Sequence, residues 1–461
     1  MKQIFKEVLT LDKRCYEEFA LSEDILMEHA ANHLALVIKS HAKPKSGIYI
    51  LSGPGNNGGD GLACARILYK QYNVHVCLPY GVKSKMARLQ LKRYEKLGGI
   101  VIQDIVESKV YVDALFGSGL SKKLDNQACK IINELNKKDA IKISCDIPSG
   151  LGEDFISDEV FKADVSVSMG ALKLPFFEDY AKEYIGDIEV ADLGVSPEIY
   201  ENTSNIHLLE IEDMKLPLRV KQNTNKGSFG HTCVIGGEKK GAAVLCATAA
   251  MNFGSGLVSI LTNETEGIPP FIMNTNKIPK NCTALVAGMG LGNPEFDLKL
   301  LINSEFGLVV DADLFYKPFI KTLIEEKPNV VLTPHPKEFS SLLENCSIIK
   351  VDVKTIQANR FKFVQMFANK YPKTTLVLKG ANTIISNGAH IYISTLGTNI
   401  LSKGGSGDVL SGMIGSLMAQ GYSGKYAAIT SVLAHAVSAK KLTCRNYAMN
   451  PLDLCEGIKY L

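Results

Sequence analysis

Residues 48–61 read IYILSGPGNNGGDG, an apolar run that leads directly into a glycine-rich segment. The run IYILS is typical of a buried strand, and LACARIL, which follows Gly61, has helical spacing. Strand, glycine turn and helix in this order predict the first unit of an α/β fold. Gly53, Gly55 and Gly58 also satisfy G-x-G-x-x-G, a pattern that usually binds the diphosphate of a dinucleotide.

Two features argue against an ordinary dinucleotide loop. The next strand ends VHVCLPYG, without the acidic residue that binds a ribose hydroxyl. Asp60, where we expect the helix to begin, would face any phosphate bound at the helix N-terminus. A different ligand and a plain strand-to-helix turn both remain open at this point.

Strand and helix patterns alternate along the rest of the chain. A helix capped by Ser22 precedes the opening stretch, and strands are predicted at VYVDALFG, IKISCDIPSG and ADVSVSMG. The alternation restarts after residue 220 with HTCVIGG, TALVAGMGLG, GLVVDADL, NVVLTPHP and TLVLKGANT. We therefore predict two doubly wound α/β domains, residues 1–206 and 221–461, joined by a linker at 207–220.

Composition excludes several classes of protein. The chain of 461 residues has a net charge of +3, so neither nucleic acid nor a membrane surface is an expected partner. Its eleven cysteines form no C-x-x-C pair, which indicates reduced thiols and a cytoplasmic location. We expect a homo-oligomer that acts on small molecules.

Polar residues follow two further strands of the first half. Asp113 lies at the tip of VYVDALFG, and Asp146 and Ser149 follow IKISC. Strand tips of a parallel sheet meet at one edge, so these side chains should lie near Asn56 and Asn57. Carboxylate, amide and hydroxyl oxygens suit a hard cation, and a carboxylate can also transfer protons.

GNNGGDG, VDALFGSGL and DIPSG, in this order, resemble the YjeF N-terminal domain, the epimerase of hydrated nicotinamide nucleotides, over residues 1–205. The resemblance implies a Rossmann-like three-layer sandwich and makes Asp146 the acid/base. It implies potassium ligation by Asn57, Asp113 and Ser149. The residues that it assigns to the hydrated dinucleotide are Asn56, Asn57, Gly58, Gly59, Asp60, Gly117, Ser118, Gly119, Leu120, Ser121, Lys122, Lys123 and Asp146.

Lys173, in LKLPFF, departs from the lysine-proline turn usual in that family. We expect it to be a solvated lysine without a role in the site.

The second half carries GGSGDVLSG, residues 404–412. A glycine-rich turn at a helix start can bind a phosphoryl group, and Asp408 in the first turn can accept a proton from an attacking hydroxyl. An Asp that only stabilises the helix dipole is the alternative reading. Lys379, His335 with Glu338, and Asp311 with Asp313 lie at neighbouring strand tips.

NKGSFGHTCVIGG, GMGLG, VVDAD, TPHPKE, KGANT and GGSGDVLSG resemble the ribokinase-like C-terminal YjeF domain, the dehydratase of hydrated NAD(P)H, over residues 220–461. The resemblance implies Asp408 as base. The hydrate-binding residues that it implies are Ala242, Gly290, His335 and Asp408. The residues that it implies for ADP or AMP are Lys379, Gly380, Ala381, Asn382, Thr383 and Gly407. Thr398–Lys403 stands where the family commonly has a GNPGMATGG-like run.

Both resemblances imply one function, the repair of hydrated NADH and NADPH. The first half would interconvert the R and S epimers, and the second would dehydrate the S form with ADP, giving AMP and phosphate. The first resemblance implies K⁺ in the first site. Mg²⁺ is expected in the second site, because phosphoryl transfer requires neutralisation of charge on the phosphoryl donor. A vitamin or sugar kinase fused to a non-catalytic binding domain is the alternative.

Overall fold

The structure of the protein, a computed structural model, describes residues 1–152, 155–292, 298–302 and 305–461. The described chain divides into an N-terminal unit, residues 3–204, and a C-terminal unit, residues 205–461 together with Met1 and Lys2.

In its described residues, the N-terminal unit contains nine strands and six helices. The strands are β1 (Lys2–Phe5), β2 (Gly47–Ser52), β3 (Asn73–Cys77), β4 (Val101–Ile102), β5 (Val110–Ala114), β6 (Ile141–Cys145), β7 (Val165–Met169), β8 (Leu172–Lys173) and β9 (Asp187–Ala191). The helices are α1 (Leu9–Glu18), α2 (Glu23–His41), α3 (Asn56–Leu68), α4 (Lys85–Lys96), α5 (Asn126–Asn136) and α6 (Pro197–Tyr200).

Seven of these strands form a fully parallel sheet in the order β4-β3-β2-β5-β6-β7-β9, and β1 pairs separately with β8. In β2, Ile48 and Ile50 pack against a cluster that includes α2 and α3. Tyr49 and Leu51 face the other side, where they pack with α5. Helices therefore cover both faces, which is why the strand is apolar throughout.

The start of α3 differs from the prediction. The helix begins at Asn56 and not at Asp60, so the glycine run forms its first two turns. A Cβ atom at Gly58 would lie 1.9 Å from the carbonyl oxygen of Gly53, so the helix packs directly onto the turn that ends β2. The predicted cap of α2 is confirmed, since Ser22 Oγ accepts a hydrogen bond from the amide of Ile25.

The part of the C-terminal unit that the structure describes contains ten strands and nine helices. The strands are β10 (Ile206–Leu208), β11 (His231–Ile235), β12 (Leu257–Leu261), β13 (Met273–Thr275), β14 (Ala284–Ala287), β15 (Gly307–Val310), β16 (Val330–Leu332), β17 (Thr375–Leu378), β18 (Thr383–Asn387) and β19 (His390–Ser394). The helices are α7 (Lys240–Asn252), α8 (Leu298–Ile302), α9 (Ile320–Glu326), α10 (Pro336–Asn345), α11 (Val353–Ala358), α12 (Arg360–Lys370), α13 (Ser406–Ala419), α14 (Gly424–Lys441) and α15 (Pro451–Gly457).

These strands follow the order β13-β12-β11-β14-β15-β16-β17-β18-β19-β10. Strand β18 is antiparallel to both of its neighbours, and the other pairings are parallel. The predicted α/β class is therefore confirmed in each half. None of the helices in the described ranges is long and apolar enough to cross a membrane.

Residues 207–220, predicted as a linker, pack onto the C-terminal unit. Strand β10 pairs with β19 along the register of Ile206 with Ile391. The amide of Lys215 donates to Thr430 Oγ1 at 3.2 Å, and its carbonyl accepts from Tyr422 at 3.1 Å. The assignment of one activity to residues 1–206 and the other to 221–461 stays a prediction.

Candidate active sites at the carboxyl ends of two parallel sheets

The first candidate site lies where β2, β5 and β6 end. These strands are neighbours in the parallel sheet, so the segments that follow them begin side by side. The segments carry the glycine run, Asp113 with the loop after it, and Asp146 with Ser149. The sheet order therefore brings the three predicted motifs to one edge.

Asp113 and Ser149 form one hydrogen-bonded group. Ser149 donates its hydroxyl to Asp113 Oδ1 at 2.7 Å and its amide to Asp113 Oδ2 at 2.7 Å. The amide of Leu115 donates to Oδ1 at 3.1 Å, and Ser149 Oγ also lies 3.1 Å from the carbonyl oxygen of Phe116. Burial raises the pKa of Asp113 to about 6 although these bonds favour the carboxylate.

Asp146 adopts a left-handed backbone conformation, with φ +66°, directly after β6. Its Oδ2 accepts a hydrogen bond from the amide of Ser118 at 2.8 Å. Its Oδ1 lies 2.6 Å from Lys173 Nζ. Burial opposes ionisation of Asp146, but Lys173 and Ser118 together outweigh it and lower the pKa of the carboxyl below its usual value.

The expectation of a solvated Lys173 is wrong. The side chain is 1% exposed, and its ammonium donates to Asp146 and to the carbonyl of Met169 at 2.8 Å. This burial was not predictable from the sequence, because Lys173 ends a strand of only two residues and belongs to no recognisable motif. Lys173 therefore belongs to the site that Asp146 occupies.

Asn57 lies beside Asp146 across the start of the loop after β5. A Cβ atom at Gly117 would lie 2.8 Å from Asp146 Oδ2 and 3.1 Å from Asn57 Cγ, so Gly117 lies close to both and leaves no room for a side chain. Both polar atoms of the Asn57 side chain are buried without a hydrogen-bond partner among the described residues. A buried amide in this state fits a site that a ligand or an ion completes.

The other predicted residues of α3 differ in their surroundings. Asn56 donates to Glu23 Oε1 at 2.7 Å, and Gly59 packs against Met27. Burial, with the negative charges of Asp146 and Asp12, raises the pKa of Asp60 well above its usual value. The site thus holds one carboxyl group that is kept ionised and a second that favours its proton.

The loop at 117–123 meets the site through its first half. Gly117 and Ser118 contact the groups described above, and the amide of Leu120 closes a turn onto the carbonyl of Gly117 at 3.0 Å. Gly119, Ser121 and Lys122 are exposed. Lys123 forms an exposed ion pair with Asp158 at 3.2 Å, so the structure places its ammonium against a surface carboxylate.

The second candidate site lies where β14, β15, β16 and β17 end, four consecutive strands of the other sheet. Asp311, directly after β15, is buried. It accepts hydrogen bonds from Ser411 Oγ at 2.7 Å and from Lys379 Nζ at 3.0 Å. Ser411 belongs to α13, so Asp311 connects that helix to the turn after β17. Sequence analysis placed Asp311 at this edge but did not identify Ser411.

Asp408 lies in the first turn of α13, next to Gly407. A Cβ atom at Gly407 would lie 3.3 Å from Lys379 Nζ, so the start of the helix stands over the lysine. Burial raises the pKa of Asp408 to about 7, with the negative charges of Asp311 and Glu338 adding to the effect and Lys379 opposing it. Such a value suits a group that accepts and releases a proton near neutral pH.

His335 caps α10 and does not lie within a helix. Its Nδ1 accepts hydrogen bonds from the amides of Lys337 at 3.1 Å and Glu338 at 3.3 Å. The other ring nitrogen therefore carries the proton, and it lies 3.2 Å from Glu338 Oε1. Burial, followed by the charge of Lys379, lowers the pKa of His335, and burial raises that of Glu338 to about 7.

The predicted nucleotide residues 379–383 form the turn between β17 and β18 and the first residue of β18. Arg360, 0% exposed at the start of α12, holds this turn from behind. Its guanidinium donates to the carbonyls of Asn382 at 2.8 Å, Leu378 at 3.1 Å and Lys379 at 3.2 Å. The sequence analysis missed Arg360, which stands 19 residues before Lys379 in the chain.

Ala242 and Gly290 are neighbours. A Cβ atom at Gly290 would lie 3.1 Å from Ala242 Cβ and 2.7 Å from Lys239 Cβ. A small cavity opens beside them, lined among others by Gly237, Lys240 and Thr262. A Cβ atom at Gly237 would lie 2.5 Å from the carbonyl oxygen of Gly290. The position of the cavity at the ends of β11 and β12 extends the second candidate site along the same edge of the sheet.

Known proteins resemble both halves. A family description of an NAD(P)H-hydrate dehydratase matches residues 232–459, and one of a YjeF-related protein N-terminus matches residues 23–174. A bifunctional NAD(P)H-hydrate repair enzyme of Helicobacter pylori is 39% identical over 100% of both chains. One of Dictyoglomus turgidum is 32% identical over 94% of this chain and 92% of its own. An ADP/ATP-dependent NAD(P)H-hydrate dehydratase of Bacillus subtilis, solved with ATP and Mg²⁺, superimposes on 56% of this chain and 98% of its own with a TM-score of 0.48 and 24% identity.

Proposed function

The chain belongs to the family of bifunctional NAD(P)H-hydrate repair enzymes, and we propose that its two candidate sites divide the two steps of that repair between them. The N-terminal unit interconverts the R and S epimers of hydrated NADH and NADPH. The C-terminal unit dehydrates the S epimer at the expense of ADP. The observation that carries the division is that each unit has its own buried carboxylate beside a lysine, at the edge of its own sheet.

In the dehydratase site, Asp408 accepts the proton of the substrate hydroxyl as that hydroxyl attacks the terminal phosphoryl group of ADP. The products of this transfer are AMP and a phosphate ester, and loss of phosphate from the ester restores the ring double bond. Asp408 suits this step because it stands at a helix start, where amide groups favour a phosphoryl group. Lys379, 3.0 Å from Asp311, supplies positive charge beside the same turn.

The nucleotide lies against residues 379–383 and Gly407 in this proposal, and the hydrate lies against Ala242, Gly290 and His335. Support comes from Arg360, whose three hydrogen bonds to carbonyls fix the shape of the first of these segments. The cavity beside Ala242 supports the placement of the hydrate.

Mg²⁺ fits the donor set of this site as a companion of the phosphates. No cluster of three His, Cys, Asp or Glu side chains suited to enclosing a metal occurs in the part of the chain that the structure describes. Asp311 and Glu338 nevertheless offer carboxylate oxygens near Lys379, and Mg²⁺ is commonly held by one or two carboxylates together with substrate phosphates. When bound, it neutralises charge on the donor phosphates.

In the epimerase site, Asp146 acts as acid/base on the altered nicotinamide ring. Residues 56–60 and the loop at 117–123 bind the hydrated dinucleotide around that ring. The geometry supports this role because Oδ2 of Asp146 points to the amide of Ser118, on the loop that would cover the ligand.

K⁺ fits Asn57, Asp113 and Ser149. All three offer oxygen donors, and the side-chain amide of Asn57 is buried without a hydrogen-bond partner in the described residues. In the described residues, Asp113 accepts hydrogen bonds from two amides and a hydroxyl and from no cationic side chain. Bound by these residues, K⁺ would supply positive charge beside the carboxylate of Asp113.

The test is incubation of the purified chain with mixed NADHX epimers and either ADP or ATP. Recovery of the NADH absorbance, with chromatography of each epimer, should show loss of both epimers and release of AMP when ADP is the donor. A stable phosphorylated product without recovered absorbance would instead support the kinase alternative. The homo-oligomeric state and the cytoplasmic location stay predictions.

A further inference from the structure

Lys173 is held by the epimerase site and not by solvent. Its ammonium lies 2.6 Å from Asp146 Oδ1, 2.8 Å from the carbonyl oxygen of Met169 and 3.2 Å from Ser168 Oγ. Burial of an ammonium group is strongly unfavourable unless a carboxylate and further acceptors surround it. All three acceptors lie at the ends of β6 and β7, so the lysine is anchored at the edge of the sheet that carries the site.

The two oxygens of Asp146 have separate partners. Lys173 occupies Oδ1, where the amide of Met169 also donates at 3.4 Å, whereas Oδ2 meets the amide of Ser118. Gly117 packs directly against Oδ2, since a Cβ atom there would stand 2.8 Å away. Lys173 thereby fixes which oxygen of the carboxylate faces the loop at 117–123.

We propose that Lys173 is a positioning residue for epimerisation, which holds Oδ1 of Asp146 and thereby turns Oδ2 toward the substrate. The inference rests on the proposed epimerase function and adds a residue that neither the comparisons nor the sequence motifs assign to it. Lys173 acts through Asp146 and has no contact with the reacting atoms in this scheme.

The groups around Asp146 explain why the lysine is needed. Asp60 faces it from α3, Asp12 from α1, and Cys145 precedes it on β6. The carboxylates of Asp60 and Asp12 repel that of Asp146, and both attract the ammonium of Lys173. Glu23, at the start of α2, adds a further negative charge near Asp12 and Asp60. Lys173 supplies positive charge within this acidic group.

Removal of Lys173 therefore has a predictable sign. Burial and the acidic neighbours then act unopposed, the pKa of Asp146 rises, and its ionised form is lost as the pH falls. Epimerisation should fail at low pH and recover at high pH, whereas a merely structural defect lowers the rate equally at every pH.

The experiment compares the pH profiles of R-to-S conversion in full-length wild type, Lys173→Met and Lys173→Arg. For Lys173→Met we expect about a 10- to 100-fold loss near pH 6 and less than about a 5-fold loss near pH 9. Lys173→Arg keeps the charge, and its profile should be as flat as that of wild type even if its rate is lower. Lys142→Met, a lysine at the opposite end of β6 that donates to two carbonyls, is the matched control and should keep the wild-type profile.

A parallel loss at both pH values in Lys173→Met overturns the proposal, as does an arginine variant whose acidic limb moves by more than about one pH unit. Lys173→Gln replaces the methionine variant if the latter does not fold, as judged by its unfolding transition. If neither neutral variant folds, the arginine profile decides. A wild-type chain that dehydrates the S epimer but never interconverts the epimers would refute the epimerase function itself, which is a separate outcome.

Discussion

The two candidate sites use the same pair of residue types in opposite ways. In the N-terminal unit, Lys173 is 1% exposed and forms its ion pair with Asp146 itself, and the pKa of Asp146 is lowered. In the C-terminal unit, Lys379 is 23% exposed and stands among Asp311, Glu338 and Asp408, and the pKa of Asp408 is raised to about 7. Burial acts on both carboxyl groups, so a direct ion pair with the lysine decides the outcome. Asp146 has such a pair, whereas Lys379 pairs with Asp311 and Glu338.

The largest expected effect is the loss of a base. Asp408→Asn should lower dehydration of the S epimer by about 10²–10⁴-fold, the range for removal of a general base, because Asp408 stands at the phosphoryl turn. R-to-S conversion by the same protein should be unchanged, which provides an internal control. Recovery of NADH absorbance near the wild-type rate would contradict this role of Asp408.

The next effect separates the two lysines by stability. Lys173→Met should lower the free energy of unfolding of its unit by about 3–5 kcal/mol, because it leaves Asp146 buried without its partner. Lys379→Met should lower the free energy of unfolding by only about 1–2 kcal/mol. The pKa values of Glu338 and Asp408 are already raised to about 7, so these groups can bind protons when the lysine is removed. Denaturant unfolding of both variants measures the difference, and equal losses would show that sharing of the lysine has no consequence.

The pH dependence of the two steps should differ. Dehydration, as kcat/KM for the S epimer, should fall about 10-fold between pH 8 and pH 6, because a carboxyl group with a pKa near 7 loses its ionised form over that interval. Epimerisation should change little over the same interval, because the pKa of Asp146 lies below its usual value. Profiles that fall together would place both steps under one titrating group.

The smallest expected effect concerns Arg360, whose guanidinium holds the turn after β17 through three carbonyls. Arg360→Lys keeps the charge but loses part of this set, so KM for ADP should rise about 5- to 10-fold with a smaller change in kcat. Arg88→Lys, on α4 of the other unit, is the control and should leave KM for ADP unchanged. An unchanged KM in Arg360→Lys would show that the turn keeps its shape without the guanidinium.

The sequence predicted the parts of the fold that have a local signature. Ser22 and the two acidic residues after it mark the start of α2, and apolar runs such as IYILS mark the buried parallel strands. The short strands β1, β8 and β10 were not predicted, because elements of two to four residues show no periodicity. The helical start of the glycine run was missed because it depends on contact with Gly53 and not on propensity.

The same distinction holds in the sites. Asp113, Asp146, Ser149 and Asp408 follow strands or open a helix, so the topology rule for parallel sheets brought them to the correct edges. Lys173 and Arg360 act through contacts that form only on folding. Asp146 lies 27 residues from Lys173 in the chain, and the three carbonyls that Arg360 holds lie 18–22 residues from it. No spacing rule relates them to those partners, and their burial was visible only in the structure.

The most direct measurement starts from an equal mixture of R and S hydrates with ADP and the Asp146→Asn chain. The account predicts that NADH absorbance rises to the level set by the S epimer and stops, with the R epimer left over. The Asp408→Asn chain keeps its epimerase site. Its addition should therefore convert the remaining R epimer to S, which the Asp146→Asn chain then dehydrates. Repair of both epimers at wild-type rates by Asp146→Asn alone would contradict the division of the two steps between the two sites.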